Sequence, residues 1–188
     1  MPEVKRLKLF AGIELDDACR AACVSVAQRL ERAGLRARFE SPEKLHITLA
    51  FLGWAEPEAV EAIREVLRSA ASGCRAFVLT LDKVSAFPSE RRARVVWIGS
   101  REQGAAFRKM AQRLRERYEA LGFSFDKPAV AHITVARSKG GTAHLPLLDV
   151  HPIRARVRAL TLFESIPAGS TTRYEVRARF SLGGVRSS

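Results

Sequence analysis

His46-Ile47-Thr48-Leu49 and His132-Ile133-Thr134-Val135 are nearly one tetrapeptide written twice, 86 positions apart. The likeness extends upstream. Phe39 to Ala50 aligns without gaps on Phe125 to Ala136, with six of twelve positions identical and two more conservatively exchanged. An internal repeat is read before anything else, and two copies at so long a period indicate two similar halves facing each other rather than a solenoid. In a strand, residues i and i+2 share a face. His46 and Thr48 therefore point one way, while Ile47 and Leu49 point into a core; His132 and Thr134 are set against Ile133 and Val135 in the same manner. If the halves face one another, two imidazoles and two hydroxyls converge on one cleft. One imidazole can take a proton while the other gives one, because the ordinary histidine pKa of roughly 6.5 lies near working pH. Hydroxyls beside them can donate to an anion. This set of groups suits the cleavage of a phosphodiester without a metal.

The chain has 188 residues and a hydrophobic share of 47%, sufficient for one domain or two small lobes burying about 70% of the unfolded-chain surface. No apolar run approaches a membrane span, and Met1 to Leu15 shows no signal-peptide pattern, so a cytoplasmic protein without a membrane partner is expected. Cys19, Cys23 and Cys74 are an odd set without zinc spacing, and no disulfide framework is implied. Lys and Arg number 32 against 20 acids, a net charge of +12. A field of that sign favours polyanions such as nucleic acid or an acidic membrane. His144 and His151 lie outside the repeat, and the four histidines lack Cys, Asp or Glu at ligand spacing, so neither metal nor other cofactor is expected.

In order, the pattern predicts a strand over Arg6–Leu15 and a helix capped by Asp16 or Asp17 that runs to Ala33, with Cys19, Ala22, Cys23, Val26 and Leu30 inward. A strand over Leu35–Phe39 precedes the first motif strand, His46–Leu52, which Gly53 closes. Pro57 opens a second helix ending at Gly73. Phe77–Val84 and Val95–Gly99 are expected to pair as a hairpin whose tip carries Arg91 and Arg92. A third helix over Gln103–Leu121 has Phe107, Met110, Leu114 and Tyr118 on one stripe; Gly122 ends it as Gly34 ends the first. The second motif strand, His132–Arg137, leads into a Gly-rich loop, Ser138–Pro146, expected to be mobile. Two long strands, Ile153–Ile166 and Thr172–Leu182, turn at Pro167-Ala168-Gly169, and the tail from Gly183 is expected to fray. Antiparallel neighbours without intervening helices argue for an α+β fold rather than a doubly wound one.

The paired motifs resemble those of the 2H phosphoesterase superfamily, and their surroundings resemble its RNA 2′,3′-cyclic phosphodiesterase branch, also called 2′-5′ RNA ligases or the LigT type. The carrying stretches are L-H-I-T-L-A-F-L-G at 45–53, F-P at 87–88 followed by R-V-V-W-I-G at 94–99, H-I-T-V-A-R at 132–137, and L-F-E-S at 162–165 before G-x-x-x-x-Y at 169–174. The resemblance runs from about Lys8 to Val176. One departure is Ala131, where the family usually places Pro; another is a Tyr further from its Gly than expected.

The resemblance implies one domain over 1–188 in two pseudo-symmetric lobes around a central cleft. Each lobe is an antiparallel sheet with outer helices and carries one motif, at 45–53 and 131–137. It implies hydrolysis of an RNA terminal 2′,3′-cyclic phosphate to a 2′-phosphate, with His46 as proton donor, His132 as proton acceptor, and Thr48 and Thr134 holding phosphate oxygens. Phe51 and Arg137, each five after a His, would bind the terminal base by stacking. Strand parity places them on the face opposite the histidines, so this role requires a bend or bulge near Ala50 and Ala136. The implied partner is RNA with a 2′,3′-cyclic end, tRNA fragments among the candidates, acted on by a monomer. The alternatives are RNA 2′-5′ ligation or 2′-5′ oligonucleotide cleavage at the same site, and a non-catalytic RNA-end binding module.

Overall fold

Over residues 6–139 and 143–183, which the computed structural model describes, the chain forms an α+β fold built on antiparallel sheets. The first half contributes β1 (Leu7–Glu14), α1 (Asp17–Arg32), β2 (Ala37–Phe39), β3 (His46–Ala55), α2 (Val60–Ser72) and β4 (Phe77–Leu81). The second contributes β5 (Lys83–Phe87), β6 (Val95–Gly99), α3 (Ala105–Glu119), β7 (His132–Ser138), β8 (Ile153–Val157), β9 (Ala159–Ala168) and β10 (Thr171–Ser181). Eight strands make one sheet in the order β10-β9-β1-β3-β7-β6-β5, with β2 beside β7; β4 and β8 make a separate pair.

The helices form where their capping and periodicity direct. Asp16 Oδ1 accepts from Cys19 N–H at 2.8 Å and caps α1, an interaction that contributes about 1 kcal/mol. At the far end Gly34 takes φ +92°, and Leu35 N–H closes back on Leu30 O. Helix α3 ends identically, with Gly122 at φ +92° and Phe123 N–H on Tyr118 O. Both are left-handed closures that satisfy the last carbonyls. The repeat therefore includes the helix stop as well as the strand.

One apolar core joins the helices to one face of the large sheet. Leu9, Ala11, Ile13, Ile47, Leu49, Ile133 and Val135 are buried there with Cys23, Leu30, Ile63, Leu67, Phe107, Leu114 and Tyr118. The other face of the same strands carries Lys8, Phe10, His46, Thr48, His132 and Thr134, and it is concave. Between β3 and β7 the two halves of the sheet are joined by a single residue pair, Ile47 with Ile133. These are equivalent residues of the repeat, so a local twofold runs between them.

Three expectations about the strands are corrected. Phe77–Val84 is not one strand: the chain breaks at Asp82, whose N–H donates to Gly99 O and whose Oδ1 accepts from Arg101 N–H, both at 2.9 Å. Only β5 pairs with β6, while β4 pairs with β8. Likewise Ile153–Ile166 breaks at Arg158, and its two parts lie in different sheets. At both breaks the inward residues change phase, from Leu79 and Leu81 to Ala86, and from Ile153, Ala155 and Val157 to Leu160 and Leu162, and β9 buries Leu160 to Glu164 without alternation. Strand β3 does not stop at Gly53 but runs to Ala55. Within the expected mobile loop, residues 140–142 lie outside the described residues, as does the tail from 184.

Gly12 lies at the centre of this sheet, paired with Thr48 on one side and Thr161 on the other. A Cβ there would stand 2.7 Å from Ile47 O and 3.3 Å from the Phe163 ring. Gly12→Ala is expected to destabilise the protein by roughly 1–3 kcal/mol, read as a lower urea midpoint. Gly73→Ala, whose Cβ would meet nothing nearer than 3.6 Å, should stay within about 0.5 kcal/mol of wild type. A wild-type midpoint for Gly12→Ala would contradict the close approach.

Candidate active site

All six residues singled out from the sequence line one cleft of about 450 Å³: His46, Thr48 and Phe51 from β3, and His132, Thr134 and Arg137 from β7. Every other lining residue comes from strands or from the short connection before β3: Lys8, Phe10, Glu40, Lys44, Phe87, Val95, Ser165, Thr172 and Tyr174. Among the described residues no α-helix contributes, so the site is carried on the sheet.

The two histidines are held alike. His46 Nδ1 lies 2.6 Å from Lys44 O, and His132 Nδ1 lies 2.8 Å from Val130 O. A carbonyl can only accept, so Nδ1 carries the proton in each ring and Nε2 is the free nitrogen of the neutral form. His46 Nε2 meets Thr48 Oγ1 at 3.1 Å. Aromatic side chains fix each ring. Phe10, Tyr174 and Phe163 surround His46 with ring centroids at 4.9, 5.1 and 5.8 Å. Phe87 and Trp97 flank His132 at 5.3 and 5.9 Å. The scattered stretches F-P, R-V-V-W-I-G, L-F-E-S and the final Tyr thus converge on the two imidazoles.

The bulges that parity demanded are present. The β1–β3 register steps from Ala11 opposite Ala50 to Gly12 opposite Thr48, leaving Leu49 as the extra residue. The β6–β7 register steps from Val96 opposite Ala136 to Trp97 opposite Thr134, leaving Val135. Leu49 and Val135 are repeat equivalents, and each bulge returns the residue two further on to the histidine face. The bulged carbonyls are satisfied from different sources: Val135 O accepts from Glu40 N–H at 2.9 Å, Leu49 O from Arg115 Nε at 2.8 Å. Ala131, where the resemblance expects Pro, has its N–H taken by the Gln103 side chain.

Three cations, Lys8, Lys44 and Arg137, face the cleft against one carboxylate, Glu40. Glu40 holds Arg137 in an ion pair at 2.9 Å. Lys44 Nζ lies 2.5 Å from Thr171 Oγ1 and ties the cleft rim to β10. Sequence reading missed Lys8, Glu40 and Lys44. Glu40 carried a signal, since it lies inside the repeat opposite Asp126, whereas Lys8 becomes visible only through the register of β1 on β3. Arg91 and Arg92 lie exposed at the β5–β6 tip, and His144 and His151 are exposed outside the cleft.

Burial pushes the pKa of both imidazoles below its ordinary value. For His46 the Lys44 carbonyl opposes this, the His132 charge adds to it, and Glu40 and Arg137 act in opposite senses. For His132 the Val130 carbonyl opposes and Arg137 adds. The neutral form of both rings is therefore favoured over the charged one at pH 7. Proton NMR titration should give midpoints for both rings below about 6.5, and each midpoint should rise when inorganic phosphate enters the cleft. Midpoints above 7 without phosphate would contradict the burial.

The chain matches the family described as LigT-like phosphoesterase over residues 13–97 and 98–172. It is 37% identical over 134 residues to the RNA 2′,3′-cyclic phosphodiesterase of Archaeoglobus fulgidus, covering 71% of this chain and 73% of that one. It is 30% identical to the protein of the same name from Methanothermobacter thermautotrophicus over 173 residues, covering 87% and 94%. Among solved structures, Escherichia coli LigT complexed with 3′-AMP superposes with a TM-score of 0.80 at 26% identity, covering 95% of this chain and 99% of that one. Among the described residues no helix is long and apolar enough to cross a membrane.

Proposed function

The chain belongs to the LigT-like phosphoesterase family, and from that premise we propose that it hydrolyses a 2′,3′-cyclic phosphate at the end of an RNA, leaving a 2′-phosphate and a free 3′-hydroxyl. The observation that carries the reading is the matched pair of histidines, each with Nδ1 tied to a backbone carbonyl and Nε2 the free nitrogen of a ring that lines the common cleft. The relatives' names supply the substrate, and the cationic cleft suits its phosphate.

In this proposal the whole chain acts as one domain, and each half supplies a histidine and a threonine. His132 Nε2 takes a proton from water as the water oxygen bonds to phosphorus. The bond from phosphorus to the ribose 3′ oxygen breaks, and His46, protonated at Nε2, gives that oxygen its proton. Thr48 and Thr134 donate to the non-bridging phosphate oxygens, whose charge grows in the transition state. Phe51 and the Glu40-anchored Arg137 present flat surfaces to the terminal base. Acid, base and anion donors are all side chains of this protein, so the reaction is proposed to need no metal.

Incubation of a short RNA ending in a 2′,3′-cyclic phosphate, in EDTA, tests this. Wild type should produce the 2′-phosphate, and His46→Ala and His132→Ala should each lose at least about 100-fold in kcat/KM. A cyclic end left intact by wild type would overturn the reading.

The pH profile follows from the depressed imidazoles. The base must be neutral, so activity rises as pH climbs through its pKa. The acid must be charged, so activity falls once pH exceeds its pKa. Both free-enzyme values lie below the ordinary one, so kcat/KM should fall about tenfold per pH unit between 7 and 8. The bound phosphate charge raises both values, so the decline in kcat should begin at higher pH. A kcat/KM that climbs steadily from pH 6 to 8 would contradict the assignment.

A further inference from the structure

Beyond the cleft, β3 carries an aromatic residue that the proposed reaction does not use. Trp54 is 57% exposed and Phe51 53% exposed. They are three residues apart, and an uninterrupted strand would set them on opposite faces. The β1–β3 register steps from Leu9 opposite Gly53 to Phe10 opposite Phe51, leaving Leu52 as an extra, buried residue, and Gly53 takes φ +73°. This second bulge brings Trp54 onto the Phe51 side. Lys8, the cross-strand partner of Trp54, lies with Nζ 5.8 Å from the centroid of each ring. Lys8 and Phe51 both line the cleft. An aromatic, a cation and a second aromatic thus follow one another outward from the histidines.

Resting on the function proposed above, we propose that Trp54 and Lys8 form a subsite for the penultimate nucleotide of a single-stranded RNA end. The penultimate base stacks on Trp54, and Lys8 meets the phosphate that links it to the terminal nucleotide. Alternating aromatic rings and cations are how proteins hold single strands without reading sequence: every base has a π face, and every nucleotide carries a phosphate. Consecutive same-face rows of a strand lie about 6.8 Å apart, a step that a single unstacked nucleotide can span. The carboxylate Glu56, just past the end of β3, faces Arg6 at 3.8 Å. The subsite makes the enzyme selective for an oligonucleotide end over a free cyclic mononucleotide.

The test compares kcat/KM for a dinucleotide ending in a 2′,3′-cyclic phosphate with that for the cyclic mononucleotide. The dinucleotide-to-mononucleotide ratio should exceed one in wild type, fall about tenfold in Trp54→Ala, and recover in Trp54→Phe. An equal ratio in wild type and Trp54→Ala would overturn the subsite. A readout independent of turnover uses inert ligands ending in a 2′-phosphate. The dinucleotide should quench tryptophan fluorescence beyond the mononucleotide in wild type, and the added quench should vanish in Trp54→Phe. If no substrate turns over, the hydrolytic reading fails, and this titration alone decides: the added quench sustains the subsite, and its absence in wild type overturns it.

Discussion

Two backbone groups, those of Ile47 and Ile133, join the halves of the large sheet where β3 meets β7. Each isoleucine side chain is wholly buried, so the core fixes which way its neighbours face. His46 and Thr48 on one side of the seam, and His132 and Thr134 on the other, are thereby turned onto the same concave face. Because the paired residues are equivalents, whatever positions one histidine positions the other by the same geometry. In the proposed reaction the two proton-transfer groups have opposite roles and need the same placement and tautomer, and a twofold supplies both with one piece of structure. The difference between them then comes from surroundings: Phe10, Phe163 and Tyr174 on one ring, Phe87 and Trp97 on the other, with the Glu40–Arg137 pair beside them.

The bulges act on the same seam. Parity alone puts every second residue on the site face, so after His46 and Thr48 the next would be Ala50, and after His132 and Thr134 it would be Ala136. The extra residues Leu49 and Val135 put Phe51 and Arg137 there instead, and Leu52 recovers Trp54 beyond them. Each bulge leaves an unpaired carbonyl or N–H, and those of Leu49 and Val135 are met from outside the sheet by Arg115 and Glu40. The cost of disrupting the ladder is thus offset within the fold, and Glu40 serves twice, with its backbone on the bulge and its side chain on Arg137.

Much of this was legible in the sequence because the repeat states it directly. The duplicated His-Ile-Thr, the helix before each copy and the Gly that ends each helix predicted two facing units. The odd spacing from His to Phe51 and Arg137 demanded bulges where they occur. The breaks at Asp82 and Arg158 were read through as single strands, although the inward positions shift by one residue at each, from Leu81 to Ala86 and from Val157 to Leu160 and Leu162. Lys8 and Trp54 were hidden for a different reason. They meet only through the β1–β3 register, and reading Gly53 as the end of a strand, rather than as its second bulge, cut Trp54 from the site. Local rules locate residues on a face; which faces converge is decided by pairing over long sequence distances.

His46 and His132 are proposed to act together in one proton transfer across a shared cleft, which a double-mutant cycle on turnover of the cyclic phosphate decides. If the pair works as a unit, removing the second histidine costs little once the first is gone, and His46→Ala/His132→Ala retains about the activity of the weaker single variant. If instead the two losses multiply, each histidine lowers the barrier independently of the other, and they do not work as a coupled acid–base pair.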